Sequence, residues 1–230
     1  MSIFNCFAVL AGRSTGTFGN AAYLAVVCGA CVAASPVVAT ADVIIDDSTL
    51  GYYNSGIGSV LRDTSPFFTD DPILTINTAP DLSAAALQLG GWLNSPPVFS
   101  TAGATWSASA VAIPTGWDTG TETAVAYAFG SASLSLQNVV VTIGVDNGLL
   151  VWLDGTFVRG DTSPGASTFG EFVYSLGDLS SGTHYLQFLR SGAGAAENWQ
   201  IEVTGTPIPA AGSGALLGLG GLLIARRRRR

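Results

Sequence analysis

Residues 139–158 read VVVTIGVDNGLLVWLDGTFV, and two features of that run set the fold class. Val139, Val141, Ile143 and Val145 fall on one face of an extended chain, because successive side chains of a strand point to opposite sides. The run is rich in β-branched residues, which suit a pleated, half-buried surface. Asp146-Asn147-Gly148 is a turn signal of the kind that closes a hairpin, and Asp154-Gly155 is a second one. Between them Leu149 to Leu153 reads as a returning strand, and Thr156 to Val158 as the next. Working outward, Val125, Tyr127 and Phe129 alternate with Ala126 and Ala128. Tyr185 to Arg190 follows the turn Ser181-Gly182, and Trp199 to Val203 supplies a final strand. Upstream, Asp42 to Thr105 has no strong periodicity. Its short apolar pieces, Ile73 to Ile76 and Leu87 to Leu89, read as strands between turn clusters. Leu82 to Leu89 is equally compatible with a turn or two of helix. No tandem repeat is visible. Many short strands at this spacing predict an all-β fold, an antiparallel β-sandwich of jelly-roll-like form, with the Val139 to Leu153 hairpin at its centre.

The two ends are of different material. Arg13 precedes a largely apolar stretch, Ala21 to Ala34, and Ala39-Thr40-Ala41 fits the A-x-A pattern of a signal peptidase. Residues 1–41 are therefore read as a signal peptide, a helix in its apolar part, with the cut between Ala41 and Asp42. At the other end Ala210 to Ala225 is uncharged. Its length corresponds to roughly 24 Å of helix, short of the roughly 20 residues of a comfortable membrane span. Arg226, Arg227, Arg228, Arg229 and Arg230 follow it directly, which holds that end on the cytoplasmic side. Residues 42–206 remain as one secreted domain, long enough to bury a core.

Charge separates the segments further. The chain has 16 carboxylates and 9 basic residues. All the carboxylates lie between Asp42 and Glu202, where only Arg62, Arg159 and Arg190 oppose them, a balance of −13. Such a surface repels phosphate backbones, so nucleic acid is excluded as a partner of this domain. Cys6, Cys28 and Cys31 precede Asp42. The mature domain would hold no disulfide, catalytic thiolate or Cys-ligated zinc.

Pro207-Ile208-Pro209, a short Gly/Leu run and an arginine cluster, in that order over residues 207–230, resemble the PEP-CTERM class of bacterial sorting signals, with isoleucine where the class has glutamate. The resemblance implies processing by signal peptidase and by an exosortase-type membrane protease acting near the proline motif. It also implies contact with the membrane through the short C-terminal helix before processing. The expected location is the cell envelope, cell surface or extracellular matrix of a bacterium. In the domain, VDNGLLVWLDGTFV (145–158) and the later LSSGTHYLQFL (179–189) resemble the protective-antigen-type β-sandwich, a relative in shape of galactose-binding domains. Lectin versions of that module bind calcium and sugar through a paired-aspartate turn, where this chain has Asp146 followed by Asn147.

Oxygen ligands from Asp146, Asn147 and Asp154 make a chemically sensible calcium loop, set against a plain turn-stabilising role for all three, which is preferred. His184 is the single histidine, so any histidine-based catalysis would use it. Its position on the face of Leu186 and Phe188 favours a half-buried structural role. Asp46-Asp47 and Asp70-Asp71 lie in turn-like stretches, where aspartates cap turns more often than they catalyse. No nucleophile elbow, phosphate loop or dinucleotide fingerprint is present. Of the five tryptophans, Trp152 is expected in the core, and Trp117 is the best candidate to stack on a sugar ring. The expectation is a non-catalytic surface or matrix protein binding carbohydrate or exopolysaccharide. The alternatives are a secreted polysaccharide hydrolase and a calcium-dependent lectin-like adhesin.

Overall fold

The computed structural model describes residues 40–62, 64–68, 73–192 and 197–209. Most of the leader, including Ala39, the Asp70-Asp71 pair and the apolar run with Arg226–Arg230 lie outside these residues. The strands are β1 (Asp42–Asp46), β2 (Tyr52–Gly58), β3 (Leu74–Ile76), β4 (Glu122–Ser131), β5 (Leu134–Val145), β6 (Gly148–Leu153), β7 (Thr156–Thr162), β8 (Phe172–Leu179), β9 (Gly182–Ser191) and β10 (Trp199–Pro209). One short helix, α1 (Ala86–Leu89), follows a 3-10 turn at Ser83–Ala85, so the helical alternative for this stretch is the one adopted. Among the described residues no helix is long and apolar enough to cross a membrane.

All ladders are antiparallel and join the ten strands into one continuous sheet, whose two halves form the two sheets of a sandwich. One sheet runs β1-β10-β5-β8, the other β2-β4-β9-β6-β7-β3. The sheets share a single pair, Ser131↔Leu134, where the β4–β5 hairpin passes from one to the other. Between the sheets lie the alternating residues expected from sequence. Val139, Val141, Ile143 and Val145 of β5 meet Val125 and Tyr127 of β4, Leu186 and Phe188 of β9, and Leu149 and Val151 of β6. Each such side chain contributes about 1.5–3 kcal/mol by leaving water.

The central hairpin is corrected. Strands β5 and β6 do not pair with each other. Val145 pairs with Trp199, and Gly148 pairs with Thr162 and Ser191. The Asp146 amide donates to the Asn198 carbonyl (3.1 Å) and the Asn147 amide to the Ser191 carbonyl (3.1 Å). Each half of the turn is therefore held by a different sheet. The physical reason is that both strands carry an apolar face that must reach one core. Placing them in opposite sheets lets those faces meet across it. Asp154-Gly155 does close a two-residue hairpin, Leu153↔Thr156, with φ of 51° and 78° at its two residues, the left-handed pair that a type I′ turn requires.

A third layer covers the outer face of the second sheet. Ile57, Leu61, Phe67, Phe68, Leu89, Trp92 and Trp106 pack on Ala124, Ala126, Leu150, Trp152 and Leu189. The alanines of β4 leave room for this layer. Two buried amides fasten it. Asn54 donates to the Gln88 carbonyl (2.8 Å) and accepts from the Gly56 amide and the Thr105 hydroxyl. Gln187 donates to the Trp92 carbonyl and accepts from the Gly155 amide. The last strand continues past Thr206, with Pro207, Ile208 and Pro209 paired to Leu136, Ser135 and Leu134.

Candidate functional site

The corner between β5 and β6 places Asp146 and Asn147 at one end of the sandwich, beside the end of β9 and the start of β10. Both are almost fully buried, and the peptide bond between them is cis. Beneath that end lies Arg190, wholly buried on the inward face of β9. Its Nε donates to the Thr123 hydroxyl (3.0 Å) and its Nη1 to the Pro114 carbonyl (3.0 Å). The guanidinium stands 4.4 Å from the Trp117 ring centroid, 5.2 Å from Trp199 and 5.5 Å from Tyr53. Loss of water pushes its pKa down to about 10, against the pull of Tyr53 and Tyr127. Trp117 is half-buried rather than open, and its Nε1 donates to the Thr121 carbonyl (3.1 Å). Glu197, also buried, lies next to Trp117. A Cβ built on Gly192 would come 2.6 Å from the Glu197 carboxyl carbon and 2.8 Å from Trp117 Nε1.

Asp154 is elsewhere. It sits at the far end of β6, which at about 3.3 Å per residue is roughly 20 Å from the corner. Its Oδ2 is 2.8 Å from His184 Nδ1, and its Oδ1 accepts from the Tyr185 amide (2.8 Å). The proposed calcium trio is therefore divided. Asp146 and Asn147 share one end with Trp117, while Asp154 closes a turn at the other. Among the described residues no three His, Cys, Asp or Glu side chains stand at metal-binding spacing. His184 also has Nε2 2.9 Å from the Ser180 carbonyl. Burial works to lower its pKa, but the Asp154 hydrogen bond, the Ser180 carbonyl and the Asp154 charge outweigh this and raise it. Asp46 caps a turn through Ser48 and Thr49, whose side-chain hydrogen bonds hold its carboxyl below the usual range. Asp47 accepts from the Ile201 amide (2.8 Å).

The outer layer holds a feature that the sequence did not single out. An aromatic row runs from the core to the surface. Trp152 contacts Trp92 (centroids 5.1 Å), Trp92 contacts Trp106 (5.8 Å), Trp106 contacts Phe99 (4.9 Å), and Phe99 stacks on Tyr52 at 4.1 Å and 20°. The Trp106 indole nitrogen donates to the Leu89 carbonyl (2.9 Å), which fixes its ring. The row ends in a groove of about 320 Å³ lined by Phe99, Ser100, Thr101, Ala104, Trp106 and Ser107, with Ala108 at its edge. The row draws on residues from Tyr52 to Trp152, too far apart in sequence for a periodicity to reveal it, although the groove itself is lined from the single segment 99–108. Comparison of the chain with protein-family models and with curated proteins gave no match.

Proposed function

We propose that this chain is an exported bacterial cell-surface or extracellular-matrix protein. In this reading it is processed before Asp42 and sorted through the segment Pro207–Arg230, and its sandwich binds carbohydrate without catalysis. The observation that carries the export reading is where the ladders start. Strand β1 opens at Asp42, and its first pair is Asp42↔Gly205. A cut after Ala41 leaves every described strand whole, and Thr40 and Ala41, the two described residues before the cut, belong to no strand. Ala41 itself is exposed, as a protease site must be. On the binding side, the surface end of the aromatic row offers a ring-lined groove, and small-molecule sites are characteristically concave, mostly apolar and edged by a few polar groups.

The tail supports sorting through two opposed costs. Each arginine resists transfer into the bilayer by about 2.5–3.5 kcal/mol even on the lenient insertion scale. The glycine-rich run before them is short for a permanent anchor. Export would then pause with the proline motif outside the membrane. Expression of the full chain in an exosortase-bearing host, followed by N-terminal sequencing and mass spectrometry of surface protein, tests this. The expected product starts at Asp42 and lacks Arg226–Arg230. A product starting within residues 1–35 would overturn the leader, and surface chains retaining the arginines would make the tail a plain anchor.

A further inference from the structure

We infer that the groove at Phe99 and Trp106 is a subsite for an uncharged pyranose of a neutral polysaccharide. This rests on the carbohydrate-binding reading and names the class of sugar and the place that takes it. The volume, about 320 Å³, lies at the lower end of small-molecule sites and suits one or two sugar units rather than a folded partner. A pyranose presents a flat patch of C–H groups, and Phe99 offers a ring held in place from both neighbours. Tyr52 stacks on it at 4.1 Å, and Trp106 leans against it at 53°. A fixed ring loses little freedom on binding, which favours contact with a sugar face. The remaining lining side chains are small and carry hydroxyls. The Ser107 hydroxyl already accepts from the Tyr53 amide and donates to the Ser109 carbonyl, while Ser100 and Thr101 are exposed at the rim.

Charge decides the class. No charged side chain lines the groove, so a uronate or phosphate would find no cation there. The −13 balance of the domain repels polyanions before contact. A neutral chain meets neither obstacle, and its hydroxyls match the serine and threonine rim.

The test uses the purified full chain and isothermal titration with neutral hexamers (β-1,4-glucose, β-1,3-glucose, α-1,4-glucose and β-1,4-mannose), with hexagalacturonate as the charged probe. At least one neutral hexamer should bind, and hexagalacturonate should bind at least tenfold more weakly. Phe99→Ala should weaken the neutral hexamer at least tenfold. Because Phe99 also supports Tyr52, Ala108→Trp serves as a second variant. Position 108 is exposed, so the new ring fills the groove without entering the core, and it should give the same loss at an unchanged urea midpoint. Binding that persists in both variants leaves the carbohydrate reading standing and removes this site. Equal affinity for hexagalacturonate overturns the neutral class. No binding by any neutral hexamer overturns the inference. A concentration-dependent dimer abolished by Ala108→Trp would then assign the groove to a second copy of the chain.

Discussion

Replacing Glu122 by glutamine should remove most of the pH dependence of stability between pH 4.5 and 7. Glu122 opens β4, between Gly58 of β2 and Ser191 of β9, and its side chain is completely buried. Among the described residues neither carboxylate oxygen has a hydrogen-bond partner of good geometry. Loss of water pushes its pKa up from 4.5 to about 7, offset only in part by its own amide, the Arg62 charge and the Leu61 amide. In the unfolded chain the group ionises near 4.5, whereas in the folded chain it holds its proton to about pH 7. The folded state thus binds more protons across that window, and stability falls as pH rises through it. At 1.36 kcal/mol per pKa unit, the loss is about 3 kcal/mol. Glutamine keeps the volume and cannot ionise, so the difference in stability, variant minus native, should climb by about 3 kcal/mol from pH 4.5 to pH 8. Its absolute sign at low pH depends on how the buried amide is satisfied, but the slope does not. Urea unfolding followed by tryptophan fluorescence at intervals of one pH unit measures it. For a domain of this size 3 kcal/mol is a midpoint shift of about 1–2 M. A difference that stays flat within about 0.5 kcal/mol from pH 4.5 to pH 8 would refute the reasoning.

Val141 is fully buried between the sheets and paired to Val203 and Tyr174. Val141→Asp should cost at least about 4 kcal/mol and leave no cooperatively folded protein, as judged by near-ultraviolet circular dichroism. Arg190→Ala should destabilise by about 3–5 kcal/mol, since it opens a void beneath Trp117 and Trp199 and strands the Thr123 and Pro114 acceptors. Arg190→Met, which fills that space, should cost much less. Equal losses for the two would mean that the charge rather than the packing matters. The raised pKa of His184 adds stability below the unfolded value near 6.5, and that stability is lost as pH rises through the folded value. Asp154→Asn should lower the His184 pKa in an NMR titration, and an unchanged value would remove Asp154 as the cause.

The sandwich was legible because alternation carries the packing. Once Val139 to Val145 and Val125 to Phe129 are placed face inward, an all-β core follows. The mispaired hairpin shows the limit of that signal. Asp146-Asn147-Gly148 has the composition of a tight hairpin turn, but composition does not say whether the flanking strands lie side by side or face to face across a core. That choice is set by β9 and β10, which take up the amides of Asn147 and Asp146. Trp117 was found, but its partner was not. The parity that puts Leu186 and Phe188 inward also puts Arg190 inward, and a lone cation at an inward position was a usable sign of a buried aromatic cage. Glu197 and the Phe99 groove gave no such sign: Glu197 meets Trp117 only in the folded chain, and the groove, although lined from residues 99–108 alone, has its rings fixed by the distant Tyr52 and Trp92.

The proline motif ties the fold to the sorting reading. Proline is tolerated in a sheet where its missing N–H faces an open edge. Strand β1 stops pairing with β10 at Asp42↔Gly205, so beyond that point no described strand pairs with that side of β10. The alternation of a strand turns Pro207 and Pro209 to that side and leaves the amides of Thr206 and Ile208 for β5. The prolines therefore cost the ladder nothing and blunt an edge that would otherwise pair with other chains. A protease acting within the motif must first open the pairs to Leu136, Ser135 and Leu134, whereas a cut after Pro209 leaves the sandwich whole. In the sorting reading, a cut after Pro209 would thus be separable from folding. Pro207→Ala with Pro209→Ala should change the urea midpoint by less than the equivalent of about 1 kcal/mol, because no core side chain is lost, while the amount of tail-free surface protein falls. Should the double variant lose more than about 2 kcal/mol, its effect on sorting would be a consequence of unfolding, and the motif would have no separate part in recognition by the protease.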